Sequence, residues 1–224
     1  VAGYSTTSVS QYVFAMLLEH LQKSSEYIKN SRAGHWQQSP IFCHFSSPIH
    51  ELANKNIVLI GYGTIAQQVE KIANAFDMNV IIAERQGIAT VRPNRTPFEQ
   101  AINSADIISL HAPLTAETEN IINAQTIATM KKGVVIINTA RGGLVNSVDL
   151  LNGLKSKKVG AAILDVLEQE PPPSDHPLLT TNHNSLYITA HIAWGSMQAQ
   201  QRLIDLIATN INAFKQGLQT NRVV

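Results

Sequence analysis

The fold of this chain is decided by one stretch of sequence, which reads Ile57-Val58-Leu59-Ile60-Gly61-Tyr62-Gly63-Thr64-Ile65-Ala66. Its first four residues are apolar and predict a buried strand, and the following residues show the pattern Gly-x-Gly-x-x-Ala. Gly61 allows a sharp turn, Gly63 lets the backbone approach a pyrophosphate, and Ala66 keeps the next helix close to the strand. A helix that begins here directs free N–H groups at phosphates, so the stretch predicts a dinucleotide site. The residues expected to contact the cofactor are Gly61, Gly63, Thr64 and Ile65.

An acidic residue follows the next predicted strand, residues 79–83. Glu84 stands at about the distance from the glycines where a carboxylate accepts hydrogen bonds from the ribose hydroxyls of NAD. Its charge would also repel the 2′-phosphate of NADP, so we expect NAD to be the cofactor. Arg85 could meet that phosphate, which keeps NADP open as the alternative. A glycine turn that binds another nucleotide-like ligand, or nothing, is the competing interpretation.

The composition is that of an ordinary folded chain. It has 224 residues, of which 44% are hydrophobic and 15% are charged, and its net charge is +1. This balance gives no reason to expect nucleic acid or an anionic membrane as a partner. The single cysteine, Cys43, cannot form an internal disulfide, which fits a reducing compartment. No apolar run reaches the length of a membrane span and no signal peptide is recognisable, so we expect a cytoplasmic location.

Strands and helices alternate along the rest of the chain. The further predicted strands are residues 107–110, 134–138, 161–164 and 186–189. The predicted helices are residues 98–103, 124–130 capped by Asn123, 148–155 capped by Ser147, and 196–215. This alternation, with strands that are apolar almost throughout, predicts an α/β fold with a doubly wound parallel (Rossmann) sheet.

The N-terminal part of the chain is predicted to form a helix followed by an irregular arm. Residues 8–11 have the form of a capping box and predict a helix that runs to about Lys29 and stops before Gly34. Residues 37–50 carry apolar side chains but no regular pattern, so a second copy of the chain could cover them, and we expect a homodimer. The arm histidines and Cys43 lack tight metal-ligand spacing, and no metal site is expected.

Ionisable residues follow three of the predicted strands. Arg141 follows strand 134–138, Asp165 and Glu170 follow strand 161–164, and His191 follows strand 186–189. Because the carboxyl ends of parallel strands share one edge of the sheet, these residues should lie beside the glycine turn. Arginine can bind a carboxylate or carbonyl oxygen, and histidine can exchange a proton near neutral pH. With a nicotinamide as hydride source, this set predicts reduction of a 2-oxo acid, with His191 as the proton donor.

Five ordered motifs resemble the D-2-hydroxyacid dehydrogenase family. They are residues 61–66, residues 111–115, residues 138–143, residues 165–166 with 170–171, and residues 189–194. The resemblance implies NAD as the cofactor, a dimer, and a small 2-oxo or 2-hydroxy acid as substrate. It makes Arg141 the substrate arginine and Glu170 with His191 the acid/base pair. It also places Asp165 on the nicotinamide side and Pro113, Thr139 and Ala140 along the cofactor.

Residues 83–85, 193–196 and 221–223 are most similar to the branch of the family that interconverts hydroxypyruvate and glycerate. Members also carry an N-terminal portion that forms most of a substrate domain. The resemblance therefore implies an NAD-binding domain over residues 1–192 and a C-terminal helix and tail of the substrate domain over residues 193–224. A chain without that portion should bind NADH, reduce 2-oxo acids poorly, and expose an apolar face of its last helix.

Two other functions remain open at this point. The resemblance extends to corepressors that keep the fold and the catalytic residues, so an NAD(H)-sensing binding protein is one alternative. A non-catalytic fragment of the enzyme is the other. Turnover of hydroxypyruvate with NADH separates the enzyme from both.

Overall fold

The sheet in the computed structural model has the predicted parallel architecture. The structure describes residues 1–221, so Arg222 and Val223 of the 221–223 motif lie outside the described residues, as does Val224. Within the described part, six parallel strands form one sheet in the order β2-β1-β3-β4-β5-β6. They are β1 (Asn56–Ile60), β2 (Asn79–Ala83), β3 (Ile107–Leu110), β4 (Val134–Asn138), β5 (Val159–Leu164) and β6 (Leu186–Ile188). The predicted doubly wound Rossmann sheet is confirmed.

Helices connect the strands and cover both faces of the sheet. They are α1 (Thr6–Gln22), α2 (Ser24–Arg32), α3 (Thr64–Ala75), α4 (Phe98–Ser104), α5 (Ala124–Thr129), α6 (Ser147–Lys155), α7 (Pro177–Thr180) and α8 (Met197–Lys215). Residues 142–144 form one 3₁₀ turn after β4. In the described part of the chain, no helix is long and apolar enough to cross a membrane.

Alternate residues of β1 enter two separate hydrophobic cores, which explains why the strand is apolar throughout. Ile57 and Leu59 pack with side chains of α1 and α3 on one face. Val58 and Ile60 pack with side chains of α4 and α6 on the other. Because both faces of a strand in such a sheet are buried, its sequence shows no polar alternation.

The N-terminal helix differs from its prediction in both its start and its continuity. It begins at Thr6, so the capping box predicted at residues 8–11 is wrong, and Ser8 instead donates a hydrogen bond to Ala193 O at 2.7 Å. Lys23 adopts a left-handed conformation, with φ of 53°, and divides the predicted helix into α1 and α2. Beyond α2, the arm of residues 37–50 contains no helix or strand, as predicted.

The cap of α6 also differs from its prediction by one residue. The Asn146 side chain accepts a hydrogen bond from Asp149 N, whereas Ser147 donates to Glu168 Oε2 at 2.8 Å. The predicted cap Asn123 accepts backbone N–H groups of α5, and Ser196, where the last helix was predicted to begin, accepts Ala199 N as the cap of α8. Apart from these shifts, each predicted helix and strand is present within a few residues of its predicted bounds.

Candidate active site

The glycine turn after β1 forms the floor of a cleft of about 630 Å³ at the carboxyl ends of the strands. Gly61 has φ of +88°, and a Cβ added to it would lie 2.5 Å from the backbone N of Ala112. Only glycine fits that position, since an L side chain would be strained and would collide with the loop after β3. Gly63 has open space where a Cβ would be, among the described residues, and it is the N-cap of α3. A ligand can therefore approach the backbone closely at Gly63.

The residues around this cleft fit NAD. The first N–H groups of α3, at Thr64 and Ile65, have no partner within the helix and meet the requirement for pyrophosphate binding. On the far side, Thr139 Oγ1 is buried and has no hydrogen-bond partner among the described residues. A buried hydroxyl without a partner costs free energy unless a ligand supplies one. Thr139 and the adjacent Ala140, with Pro113 of the lining, would hold the nicotinamide half of the cofactor.

Glu84 is a buried residue in the lining of the cleft and is already paired with an arginine. Arg92 donates from Nε to Glu84 Oε2 at 2.8 Å and from Nη2 to Oε1, and Arg85 N donates to Oε1 at 2.8 Å. The guanidinium of Arg92 holds the pKa of the Glu84 carboxyl well below its usual range. Arg85 and Arg95 line the same cleft. Acceptance of ribose hydroxyls by Glu84 therefore stays a prediction, and Arg92 competes with the ribose for this carboxylate.

This pairing leads to a prediction about cofactor selectivity. We expect the protein to bind NADH more tightly than NADPH. Arg92→Ala should increase the ratio of the NADPH to the NADH dissociation constant about tenfold, because it frees the Glu84 carboxylate for the ribose and removes a cation that could bind the 2′-phosphate. Glu84→Gln should lower the same ratio of dissociation constants. Dissociation constants for both cofactors, measured by fluorescence titration, check this, with Arg32→Ala on α2 as the control. Tighter binding of NADPH by the unmodified protein, or an unchanged ratio in Arg92→Ala, contradicts it.

Past the carboxyl ends of β5 and β6, His191 and Glu170 form a direct pair. His191 Nδ1 lies 2.6 Å from Glu170 Oε2, and the side chains are 44% and 36% exposed, respectively. An ionised carboxylate only accepts hydrogen bonds, so Nδ1 carries the proton and Nε2 is left for a ligand. Glu170 Oε1 accepts from Leu167 N at 3.0 Å, which fixes the carboxylate. A second cavity of about 540 Å³ adjoins the pair and is lined mainly by apolar side chains such as Leu179 and Ile188.

Arg141 lies at the same edge of the sheet, but its side chain points to its own loop. Its Nη1 donates to Ala140 O at 2.6 Å, and the residue is exposed. The Asn138 amide fixes this loop, because it accepts from Ala140 N and donates to Arg141 O. A Cβ on Gly142 would lie 1.8 Å from Leu167 C, so the loop after β4 packs tightly against the loop after β5. Arg141 therefore lies on a loop that packs against the loop carrying Glu170, while its own side chain contacts Ala140 O.

Asp165 is almost fully buried, and its carboxylate is engaged by the protein itself. Oδ1 accepts from Ile192 N and Thr189 Oγ1, and Oδ2 accepts from Ala193 N at 2.8 Å. A role on the nicotinamide side stays a prediction for Asp165. Its observed contacts organise the turn that carries His191.

His111 lines the cofactor cleft and makes no contact with the acid/base pair. Burial lowers its pKa to about 4, so the ring is neutral near pH 7, and it contacts Ser109 Oγ at 2.9 Å. Burial and the neutral ring favour a packing role for His111 over a catalytic one. Within residues 1–221, no group of three or more His, Cys, Asp or Glu side chains is arranged to hold a metal ion.

Sequence reasoning missed four residues that line this site or support it from behind, namely Arg92, Arg95, Tyr12 and Thr189. Arg92 and Arg95 lie in a weakly patterned segment after β2, where only their positive charge and their proximity to Glu84 gave a signal. Tyr12 lies on α1 and contacts Thr189 across 177 positions of sequence. Such a distant pairing leaves no mark in local sequence patterns.

The parallel sheet, the glycine turn and the histidine–glutamate pair define a dinucleotide-binding oxidoreductase. Residues 14–193 match the family described as D-isomer specific 2-hydroxyacid dehydrogenase, NAD binding domain. The chain belongs to this family and is an NAD-dependent 2-hydroxyacid dehydrogenase.

Individual relatives agree with this assignment. A hydroxypyruvate reductase of Blautia hydrogenotrophica is 37% identical over 226 residues, which cover 100% of this chain and 70% of the relative. A glycerate dehydrogenase of Methylorubrum extorquens is 34% identical over 100% of this chain and 70% of its own length. The crystal structure of D-lactate dehydrogenase with NAD⁺ from Lactobacillus jensenii matches with a TM-score of 0.82 at 27% identity, covering 100% of this chain and 70% of that one.

Proposed function

We propose that this protein reduces hydroxypyruvate to D-glycerate with NADH and catalyses the reverse reaction with NAD⁺. The observation that carries the proposal is the 2.6 Å contact between His191 Nδ1 and Glu170 Oε2, at the strand ends that also hold the glycine turn. The pair supplies a proton donor whose ring orientation is fixed. The names of the two relatives, hydroxypyruvate reductase and glycerate dehydrogenase, support this substrate among small 2-oxo acids.

In the proposed mechanism, the chain binds the substrate, orients it and moves one proton. Bound NADH supplies the hydride that reduces C2 of the 2-oxo acid. Arg141 turns from Ala140 O to the substrate, where its fork of N–H donors binds the carboxylate and polarises the 2-oxo group. His191 donates the proton on Nε2 to the oxygen at C2, and Glu170 stabilises the doubly protonated ring before that step. In the reverse direction Nε2 accepts the hydroxyl proton.

A panel of 2-oxo acids tests the proposed substrate. We expect kcat/KM with NADH to be higher for hydroxypyruvate than for glyoxylate, pyruvate or 3-phosphohydroxypyruvate, and we expect the product to be D-glycerate. The protein should be assayed as the cell produces it, with its intact mass recorded. NADH binding without reduction of any acid in the panel would instead favour the NAD(H)-sensing alternative.

The proposal includes a homodimer formed through α1, α2 and the arm of residues 37–50. The arm exposes large apolar side chains, of which Phe42 is 90% exposed and Phe45 is 70% exposed. Exposed apolar patches of this kind mark protein interfaces, and a two-fold axis lets the same patch cover itself. Residues 1–192 would form the cofactor-binding unit and residues 193–224 part of the substrate-binding unit. Cys43 in the arm would stay reduced in the cytoplasm.

Sedimentation analysis at micromolar concentration checks the dimer. The unmodified protein should sediment as a dimer, and Phe42→Ser combined with Phe45→Ser should shift it to a monomer, because the apolar cover is lost. Ile204→Ser on α8 removes an apolar side chain outside the arm that is 60% exposed, and it should leave the dimer intact. A monomeric unmodified protein would refute this part of the proposal.

A further inference from the structure

His191 occupies a backbone conformation that the surrounding chain has to impose. Its φ is +55°, in the left-handed region that side chains other than glycine rarely adopt. Such a conformation persists only where neighbouring groups hold it. His191 N donates to Asp165 O at 2.8 Å, and the next amides, Ile192 N and Ala193 N, donate to the Asp165 carboxylate at 2.9 and 2.8 Å. Asp165 therefore holds the His191 turn through both its backbone oxygen and its side-chain carboxylate.

The direction of the hydrogen bonds extends this arrangement to Tyr12 of α1. The Asp165 carboxylate only accepts, so Thr189 Oγ1 donates its proton to Oδ1, at 2.5 Å. Because that proton is committed, the 2.5 Å contact between Tyr12 and Thr189 has Tyr12 OH as its donor. Burial raises the pKa of Tyr12, so the hydroxyl remains protonated across the neutral range. Tyr12 thus donates a hydrogen bond to Thr189, and Thr189 donates one to Asp165.

Helix α1 is a rigid base for this chain of hydrogen bonds. Val13 and Leu17 are fully buried in the core shared with α3, on the face of α1 that packs against the sheet. A second contact joins α1 to the same turn, since Ser8 Oγ donates to Ala193 O at 2.7 Å and accepts from Ser196 N at 3.3 Å. Helix α1 thus contacts the chain on both sides of His191, at Thr189 before the histidine and at Ala193 after it.

We propose that Tyr12 is a positioning residue for His191, which acts through Thr189 and the Asp165 carboxylate to hold the imidazole against Glu170. The role rests on the proposed function of His191 as the proton donor. Tyr12 itself touches neither the acid/base pair nor the cofactor cleft. Its effect should fall on the chemical step and leave cofactor binding unchanged.

The test compares Tyr12→Phe with Tyr187→Phe. Tyr187 is a matched control because its hydroxyl also links β6 to α1, but at the other end of the helix, where it contacts His20 Nδ1 and Lys23 Nζ at 3.3 Å. Tyr12→Phe should lower kcat for the 2-oxo acid about tenfold, because a small displacement of a reacting group is costly. KM and the NADH dissociation constant should change less than about twofold. Thr189→Val should lower kcat as Tyr12→Phe does. Thr189→Ser, which keeps the hydroxyl, should have the kcat of the unmodified protein.

A second readout does not require turnover. Long-range ¹H–¹⁵N correlations of the His191 ring, assigned with His191→Gln and recorded where the imidazole is neutral, report which nitrogen carries the proton. We expect Nδ1 to carry it in the unmodified protein and in Tyr187→Phe, and a mixture with Nε2 in Tyr12→Phe. If the unmodified protein reduces no 2-oxo acid, the proposed function fails and this readout still decides the positioning role.

Three results would overturn the positioning role. The first is an Nδ1–H tautomer that persists in Tyr12→Phe. The second is a loss of rate that Tyr187→Phe reproduces, since that indicates general destabilisation. The third is an unmodified protein in which Nδ1 carries no proton, because Glu170 then does not hold the ring.

Discussion

Replacing His191 by alanine should lower NADH-dependent reduction of the 2-oxo acid by about 10²–10⁴-fold, the usual cost of losing one general acid. The NADH dissociation constant should change less than about twofold. His191 lies at the opposite end of the strand edge from the adenosine side of the cleft, where Glu84 and the α3 N-terminus lie. Steady-state kinetics and NADH fluorescence titration on the same preparation measure both quantities.

His35→Ala provides the control for that experiment. His35 lies in the segment after α2, contacts the ring of His44, and lines neither cavity at the strand ends. The His35→Ala variant should reduce the 2-oxo acid at the same rate as the unmodified protein. A His191→Ala protein that turns over at the unmodified rate would remove His191 from the mechanism, and with it the role of Glu170.

Replacing Gly61 by alanine should abolish measurable NADH binding and also destabilise the fold. The backbone has φ of +88°, and the new Cβ would lie 2.5–2.7 Å from backbone atoms of His111 and Ala112, which cannot move aside as a flexible side chain could. Strain in the left-handed region together with this overlap should lower the free energy of unfolding by about 3 kcal/mol or more. Denaturant unfolding and NADH titration measure the two effects.

The Gly63→Ala variant should weaken NADH binding without the loss of fold stability expected for Gly61→Ala. Gly63 has a negative φ and open space at its Cβ position among the described residues, so the free energy of unfolding should change by less than about 1 kcal/mol. The added methyl group would occupy the side from which a pyrophosphate approaches, and NADH binding should weaken. Normal NADH binding by both variants would show that the dinucleotide does not lie on this turn.

Much of the fold was predictable because its strands are buried on both faces. The residues of β1, β3 and β4 are apolar almost without interruption, and the predicted bounds of β3 and β4 match those observed. The pairing of Glu170 with His191 was implied by the family resemblance, and their position at one edge of the sheet was predictable because parallel strands bring their carboxyl ends together. That rule needs only the order of the strands along the chain and no knowledge of tertiary contacts.

The features that sequence could not reveal depend on backbone conformation or on distant contacts. Lys23 breaks the first helix by adopting a left-handed conformation, although lysine is a good helix former. Arg92 pairs with Glu84 because the segment between them folds back over the strand end, and no local pattern marks that turn. The contact of Tyr12 with Thr189 joins α1 to the end of β6 and exists only in the folded chain.

Hydride transfer from NADH to C2 of hydroxypyruvate is the step that the proposed function requires, and an isotope label follows it. The protein, as its cell produces it and with its intact mass recorded, would be incubated with hydroxypyruvate and with NADH that carries deuterium at both C4 positions of the nicotinamide. We expect D-glycerate with deuterium at C2, formed in equal amount to the NADH consumed. NADH that binds in the cleft and is not oxidised by hydroxypyruvate or any other 2-oxo acid would refute the proposed function.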